Sequence, residues 1–580
     1  MNIRTALLAA TALVAVPLTS FAGDISFAPV PFAKTDAAKR QVAASASATI
    51  DGKEAAIGFR LLARSGDKIG SGTFGMLVDK DGNGVADASS GMDASPAPDF
   101  TSLLPVGDKL YSVTHFESRP GAMYLSELKQ DADGMLTPVS TKPIDFTAYS
   151  GLWVPCAGSV TPWNTHLGSE EYPSDARTWE AAQSLDDISD YDKPMVRFLG
   201  VDPATMTLDD FRAAYKPYRY GYPTEVSVSA DGNGTATKHF AMGRVAVELA
   251  KVMPDNKTAY ITDDGTNGGL YMFVADQAGD LSAGTLYAAR WRQTDGSGAG
   301  AADLDWVNLG PADDATVQKA IEGGVSFSDL FETAEIGKDG SCPEGFLASN
   351  AAAKAECLKV KPGMEAVASR VETRRFASMM GATTEFRKME GIAYNPATNT
   401  AYLAISSIEK GMEDGAKHDK GGRNDIRLAK NKCGAVYELT LDGGYRATRA
   451  TGLVTGRPSA YAEGSEYAGN SCEIDGIANP DNLTFITGHD TLIIGEDTGS
   501  GHQNDVVWAY NLTSGEMTRI LTSPYGSETT SVYWYPNVGG HAYMTAVIQH
   551  PYGESDSDKI KEPADARAYV GYIGPFPAMD

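Results

Sequence analysis

Three stretches of this chain repeat one frame. In VELAKVMPDNKTAYITDD, MEGIAYNPATNTAYLAISS and PDNLTFITGHDTLIIGED, an acidic residue (Glu248, Glu390, Asp481) opens an apolar run. A polar turn follows, and a second apolar run ends sixteen positions after the acidic residue, on Asp264, Ser406 or Asp497. A fourth stretch, CAGSVTPWNTHLGSEE, leads from Cys156 to Glu171 in fifteen. Two looser units are GDKLYSVTHFES, ending near His115 and Glu117, and GGHAYMTAVIQHP, which follows Glu528 and ends on Gln549 and His550. Apolar runs separated by turn residues are hairpins. A hairpin repeated along a chain buries its apolar face only against its neighbours. The expected fold is therefore all-β, a six-bladed β-propeller with helical and loop insertions.

In a propeller the innermost strands converge on a central channel, so the residues that open and close these hairpins face one another. Carboxylates so gathered repel unless cations hold them. Cys156, Glu171, Glu248, Asp264, Glu390, Asp481 and Asp497 are thus candidate metal ligands. The other reading of each carboxylate is an ordinary solvated turn residue, since Asp and Asn favour turns for conformational reasons. Oxygen ligands suit calcium, and one thiolate suits a softer transition metal.

Against 49 Lys and Arg stand 75 Asp and Glu, a formal net charge of -26, which excludes nucleic acid and anionic membrane as partners. Residues 1–22 carry Arg4, the apolar run LLAATALVAVPL and the small-residue end Ser20-Phe21-Ala22, the pattern of a secretory signal peptide without a twin-arginine pair. The mature protein is expected in the periplasm or outside the cell, as a monomer. Residues 23–580 are expected to form one propeller domain, with insertions near 172–222 and 303–386 where helical patterns interrupt the strands. Five cysteines are an odd count for an oxidising compartment. Cys342 with Cys357, and Cys433 with Cys472, are candidate local disulfides that would leave Cys156 free. Sequence alone does not fix the pairing. DKDGNGVADAS, from Asp79, alternates acidic residues as a calcium loop does but lacks the distal Glu, so it reads as a surface turn.

No Ser-His-Asp order, P-loop or dinucleotide fingerprint occurs in a fitting context. A ring of metals could clamp phosphoryl oxygens without any side-chain nucleophile. In order along the chain, CAGSVTPWNTHLGSEE, GRVAVELAKV with ITDDGTNGGLYMF, FRKMEGIAYNP, SCEIDGIANPDNL, YGSETTSVYWYP and AVIQHPYGES resemble the PhoX-type alkaline phosphatases, from about Lys109 to Glu554. The resemblance implies a six-bladed propeller holding ferric iron and calcium and hydrolysing small-molecule phosphate esters outside the cytoplasm. It implies metal-ligand roles for Cys156, Glu171, Glu248, Asp264, Glu390 and Asp481, with Cys156 on iron. The family's Arg-Pro-Glu run is Lys388-Met389-Glu390 here, which makes Lys388 the candidate catalytic contact to phosphate. Two rivals keep the carboxylate ring: a calcium-dependent lactonase-type hydrolase and a calcium-stabilised binding propeller without catalysis. The lactonase-type hydrolase has no use for Cys156, and the binding propeller would keep the ring for folding alone.

Overall fold

A computed structural model describes residues 23–338, 340–419 and 423–579. The expected signal peptide, residues 1–22, lies outside the described residues. After β1 (Phe59–Arg64), four-stranded antiparallel meanders follow one another along the chain. They are β2 (Pro98–Val106), β3 (Lys109–Phe116), β4 (Ala122–Gln130) and β5 (Leu136–Pro143); then β6 (Ser159–Val160), β7 (His166–Gly168), β8 (Thr224–Val228) and β9 (Gly234–Lys238). The third consists of β10 (Val247–Val252), β11 (Thr258–Asp263), β12 (Tyr271–Gln277) and β13 (Asp280–Asp295). Beyond β14 (Ala301–Asp313) comes the fourth: β15 (Met389–Asn395), β16 (Thr400–Ile405), β17 (Ala435–Leu441) and β18 (Ala447–Thr455). The fifth is β19 (Pro480–Ile486), β20 (Thr491–Glu496), β21 (Val506–Asn511) and β22 (Met517–Thr522). The last joins β23 (Glu528–Val538), β24 (His541–Gln549) and β25 (Tyr569–Pro577) to β1.

The first strand of each meander is the inner one. Contacts run from β2 to the β6–β7 pair, then to β10, β15, β19, β23 and back to β2, which closes a propeller-like ring. Between neighbouring meanders lie apolar layers. Ala393, Tyr402, Leu483, Phe485 and Ile494 pack between the fourth and fifth, and Ile486, Ile493, Val532, Trp534 and Met544 between the fifth and sixth. Each fully buried Ile or Val in such a layer contributes roughly 1.5–3 kcal/mol of transfer free energy, so the layers hold blade to blade while the channel lining stays free to be polar.

The tail, PADARAYVGYIGPF, enters the last meander. It supplies β25, the third strand of the last meander; the fourth is the N-terminal β1, paired through Tyr569 with Arg64 and Ile573 with Phe59. The stretch after Asp303, expected as insertion, begins instead as strand β14. It pairs with β13 along most of its length and with β18 at Ala301–Asp303, welding the third and fourth meanders into one nine-stranded sheet. In the first of the two non-propeller stretches lie α1 (Ala176–Ala181) and α2 (Leu208–Ala214). The second holds α3 (Asp314–Glu322), α4 (Phe327–Leu330), α5 (Glu365–Val371) and α6 (Thr373–Met379). The stretch FSDLFETAEI splits into α4 and a strand, Phe331–Ala334, that pairs with Glu356–Val360. Disulfides join Cys342 to Cys357 and Cys433 to Cys472, and Cys156 is a buried free thiol. No helix among the described residues is long and apolar enough to cross a membrane.

Candidate metal centre

The sixteen-residue frame has a backbone cause. In four inner hairpins the pairing register skips two residues of the inner strand at one level: Asp99-Phe100, Glu248-Leu249, Glu390-Gly391 and Asp481-Asn482. Each is a β-bulge whose first residue is acidic, and a bulge re-aims the side chain it carries. The second strand of each hairpin ends opposite, so Glu117, Asp264, Ser406 and Asp497 follow the paired residues Phe116, Asp263, Ile405 and Glu496. In the last hairpin Glu528 pairs directly with Gln549. Gly391 is required where it stands: a Cβ there would lie 2.6 Å from the Leu483 nitrogen and 2.7 Å from the Asp481 oxygen, so only glycine lets the two inner strands come this close. That approach brings Glu390 beside Asp481.

These side chains meet in three overlapping groups, and within each group the ligand atoms lie within 4.8 Å of one another: Asp99, Glu117 and Cys156; Cys156, Glu171 and Glu248; Glu248, Glu390 and Asp481. Cys156 joins the first two and Glu248 the last two. The Cys156 Sγ stands 3.2 Å from Asp99 Oδ2 and 3.6 Å from Glu248 Oε1. Thr530 and Gln549 donate to the two oxygens of Asp99 at 2.6 and 3.1 Å, fixing its plane. Glu171 turns into this centre while its neighbour Glu170 turns away. Glu170 is fully buried against the Lys238 ammonium at 2.9 Å and accepts from the backbone of Trp153 and Gly221. Behind Cys156, Ser102, His166 and His115 form a chain of hydrogen bonds that ends on the Cys156 carbonyl.

Asp264 and Asp497 sit on the wall of the same cavity, about 710 Å³, outside the three groups. Between them lies Lys388, held at φ 45°, with Nζ 3.2 Å from Asp497, 3.5 Å from Glu390 and 3.8 Å from Asp264. The Tyr172 hydroxyl also donates to Asp264. Burial opposes the Lys388 charge, but Asp264, Glu390 and Asp497 outweigh it and raise its pKa well above 10.5. Burial first, and neighbouring carboxylates second, raise Glu171, Glu248, Asp481 and Glu528 well above the usual carboxylate range and lift the Cys156 thiol.

A bound cation would relieve that electrostatic strain. Among the described residues Glu171 Oε1 and Asp481 Oδ1 are buried without a hydrogen-bond partner and Glu390 Oε1 has only the Lys388 ammonium at 3.5 Å, although buried polar atoms are otherwise nearly always satisfied. A multivalent cation at each group would meet these oxygens and remove the mutual repulsion. The donor set, all oxygen apart from one thiol, fits hard cations together with one softer ion. Asp99 escaped sequence reasoning. Its frame to Glu117 spans eighteen positions rather than sixteen, and it follows a polar, Pro-rich stretch. The bulge preceding a hairpin that ends in Glu was the available signal.

A family model described as alkaline phosphatase PhoX matches residues 131–552. No curated protein sequence matches the chain. Among solved structures, Pseudomonas fluorescens PhoX in complex with vanadate, a transition state analogue, is similar over 95% of this chain and 98% of that one, with a TM-score of 0.60 and 18% identity, a likeness of fold. Weaker likenesses are to the Pseudomonas aeruginosa periplasmic gluconolactonase PpgL (TM-score 0.29, 9% identity, 96% and 98% of the two chains) and a putative 6-phosphogluconolactonase from Bacteroides uniformis (TM-score 0.28, 12% identity, 81% and 93%). The family model covers well over half of the 580 residues: the chain belongs to the PhoX alkaline phosphatase family and is a phosphatase.

Proposed function

We propose that this phosphatase hydrolyses phosphate monoesters at a calcium and iron centre in the channel, outside the cytoplasm. The observation that carries the reading is the set of three overlapping ligand groups with a single thiol among carboxylates. Cys156, with Asp99 and Glu117 on one side and Glu171 and Glu248 on the other, would hold the softer ion, iron; Glu390 and Asp481 would share calcium with Glu248. When bound, such ions withdraw charge from phosphoryl oxygens and supply an activated oxygen nucleophile. The chain's own residues do the rest. Lys388 presents an ammonium to a phosphate oxygen entering the cavity, as a point charge rather than a bidentate fork. Tyr172 and Asp497 hold the carboxylate wall on which Lys388 rests. An oxidising compartment is supported by the two disulfides.

The test is elemental analysis, a visible spectrum and phosphate release measured on one preparation. Calcium and iron should be present, with a thiolate-to-iron absorption band that Cys156→Ser removes, and phosphate should be released from a simple monoester. A fully metal-loaded protein that releases phosphate from no monoester sinks the reading.

A further inference from the structure

Beside the metal cavity lies a second cavity of about 510 Å³, and the two share Tyr172 and Tyr191 as walls. We propose that this second cavity is a subsite for the alcohol portion of the substrate, which it selects to be apolar and aromatic and free of negative charge. The proposal rests on the phosphatase reading above and names the substrate class of that same site.

The chemistry of the wall argues for the occupant. Tyr172, Trp179, Ile188 and Tyr191 supply apolar and aromatic surface, and Asp187 and Asp192 line the same cavity. None of the described lining residues is Lys, Arg or His; a third lining carboxylate, Asp175, is paired with Lys354 and Arg375 behind the wall, whereas neither Asp187 nor Asp192 makes an ion pair among the described residues. A carboxylate or second phosphate on the alcohol would meet the unpaired Asp187 and Asp192 here, while the nearest cations are already engaged, Lys354 and Arg375 by Asp175 and Arg119 by the Tyr191 ring. An aromatic ring would instead bury its faces against Tyr172, Tyr191 and the indole of Trp179.

The partition between the cavities is built for contact rather than for packing. Tyr172 is held at φ 40°, in the left-handed region that a bulky side chain rarely adopts, and strain of this kind gathers at ligand clamps. With 39% of its surface exposed it is among the few exposed large hydrophobic residues, yet both its ends are fixed. Its hydroxyl is bonded to Asp264 in the metal cavity, and its ring meets Tyr191 edge to face at 6.3 Å. Tyr191 is fixed in turn, packed edge-on against Trp153 at 5.8 Å and carrying the Arg119 guanidinium 3.7 Å from its ring centre. The cavities meet at these shared rings, so a phosphoryl group beside Lys388 would leave its ester oxygen facing the aromatic edge of the second cavity. Binding energy gained by the remote alcohol portion then serves the reaction at phosphorus.

The experiment compares kcat/KM for ethyl, benzyl, 2-naphthylmethyl and 4-carboxybenzyl phosphates on the metal-loaded enzyme. These alcohols leave with similar basicity, so differences report binding rather than bond cleavage. Benzyl and naphthylmethyl phosphates should exceed ethyl phosphate by about tenfold or more, the discrimination a hydrophobic pocket supplies, and 4-carboxybenzyl phosphate should fall back to the ethyl level. Trp179→Ala should erase the benzyl preference and leave ethyl phosphate turnover within about twofold. Because Trp179 also packs in the insertion, Ser189→Trp provides a second variant: Ser189 is an exposed lining residue, and the added indole should fill the cavity with the same effect. Equal rates for all four esters, or a benzyl preference that survives both variants, overturn the subsite. Failure of the phosphatase reading shows separately, as no phosphate released from any ester. Calorimetric binding of benzylphosphonate, which needs no turnover, then decides the subsite: affinity about tenfold weaker in either variant supports it, and unchanged affinity overturns it.

Discussion

The Lys388 ammonium stands 3.2 Å from Asp497 and 3.5 Å from Glu390, so this cation is anchored by one residue from each of two successive blades. Replacing it reports on its role. Lys388→Met should lower kcat/KM for a phosphate monoester by about 100-fold, the scale of losing one charge-assisted contact to the reacting group. Lys388→Arg should keep or raise activity, because a guanidinium binds phosphate in bidentate fashion. Equal loss in both variants would mean that Lys388 only neutralises Asp497 and Glu390.

Removing metal should destabilise the protein. Each site that binds the folded chain at 100 to 1,000 times its Kd contributes about 3–4 kcal/mol, and without cations the buried carboxylates of the channel repel. Excess chelator should lower Tm by several degrees, and added calcium should restore part of it. A melting curve that chelator leaves unchanged would return the three ligand groups to ordinary hydrogen-bonded carboxylates.

Lys238 and Glu170 form an ion pair with no solvent exposure on either side chain. Burial alone would neutralise both, raising the Glu170 pKa and lowering that of Lys238, and each partner counters the shift of the other. Lys238→Met strands a buried carboxylate and should cost about 3–5 kcal/mol in denaturant unfolding. Lys238→Met combined with Glu170→Gln should recover part of it, since no net charge is then left unpaired. A single variant as stable as the parent would show that water reaches Glu170.

His239 lies buried between Glu225 at 2.8 Å and Asp314 at 3.4 Å. Burial disfavours its charge, but the two carboxylates prevail and raise its pKa from 6.5 to about 9. The folded state therefore binds this proton more tightly than the unfolded chain does. Its contribution, roughly 3 kcal/mol at most, is complete below pH 6.5 and is lost as pH rises through about 9. The stability difference between the parent and His239→Gln should shrink across that window, as read by denaturant midpoints at pH 6, 8 and 10. A difference that does not change with pH would mean that His239 stays neutral throughout.

Much of this was legible because the ligand frame is a register, and register leaves a fixed spacing. An acidic residue in the bulge and a polar residue at the end of the next strand lie sixteen apart wherever the strands are six or seven residues long, as around Glu248, Glu390 and Asp481. Asp99 was hidden because its inner strand has nine residues and stretches the frame. The split between Glu170 and Glu171 left no trace in sequence, since it depends on Lys238, sixty-eight positions away. Strand β14 was missed because Asn308, Gly310 and Pro311 break its apolar pattern, although it pairs with β13 on one side and with β18 on the other. The destination of FRLLAR was equally invisible, because Arg64 finds its partner only at Tyr569.

That last pairing sets an order of assembly. A ring whose final blade combines Phe59–Arg64 with Glu528–Pro577 cannot close until the end of the chain is available, however early the other blades fold. Contacts of such long sequence separation form late, after their loop-closure entropy has been met. Asp99, the first carboxylate of the centre, is held by Thr530 and Gln549, which belong to that same late blade. The first and last blades thus complete the carboxylate ring together, so a chain truncated before Glu528 should keep most of its apolar layers and still hold no ordered site around Cys156.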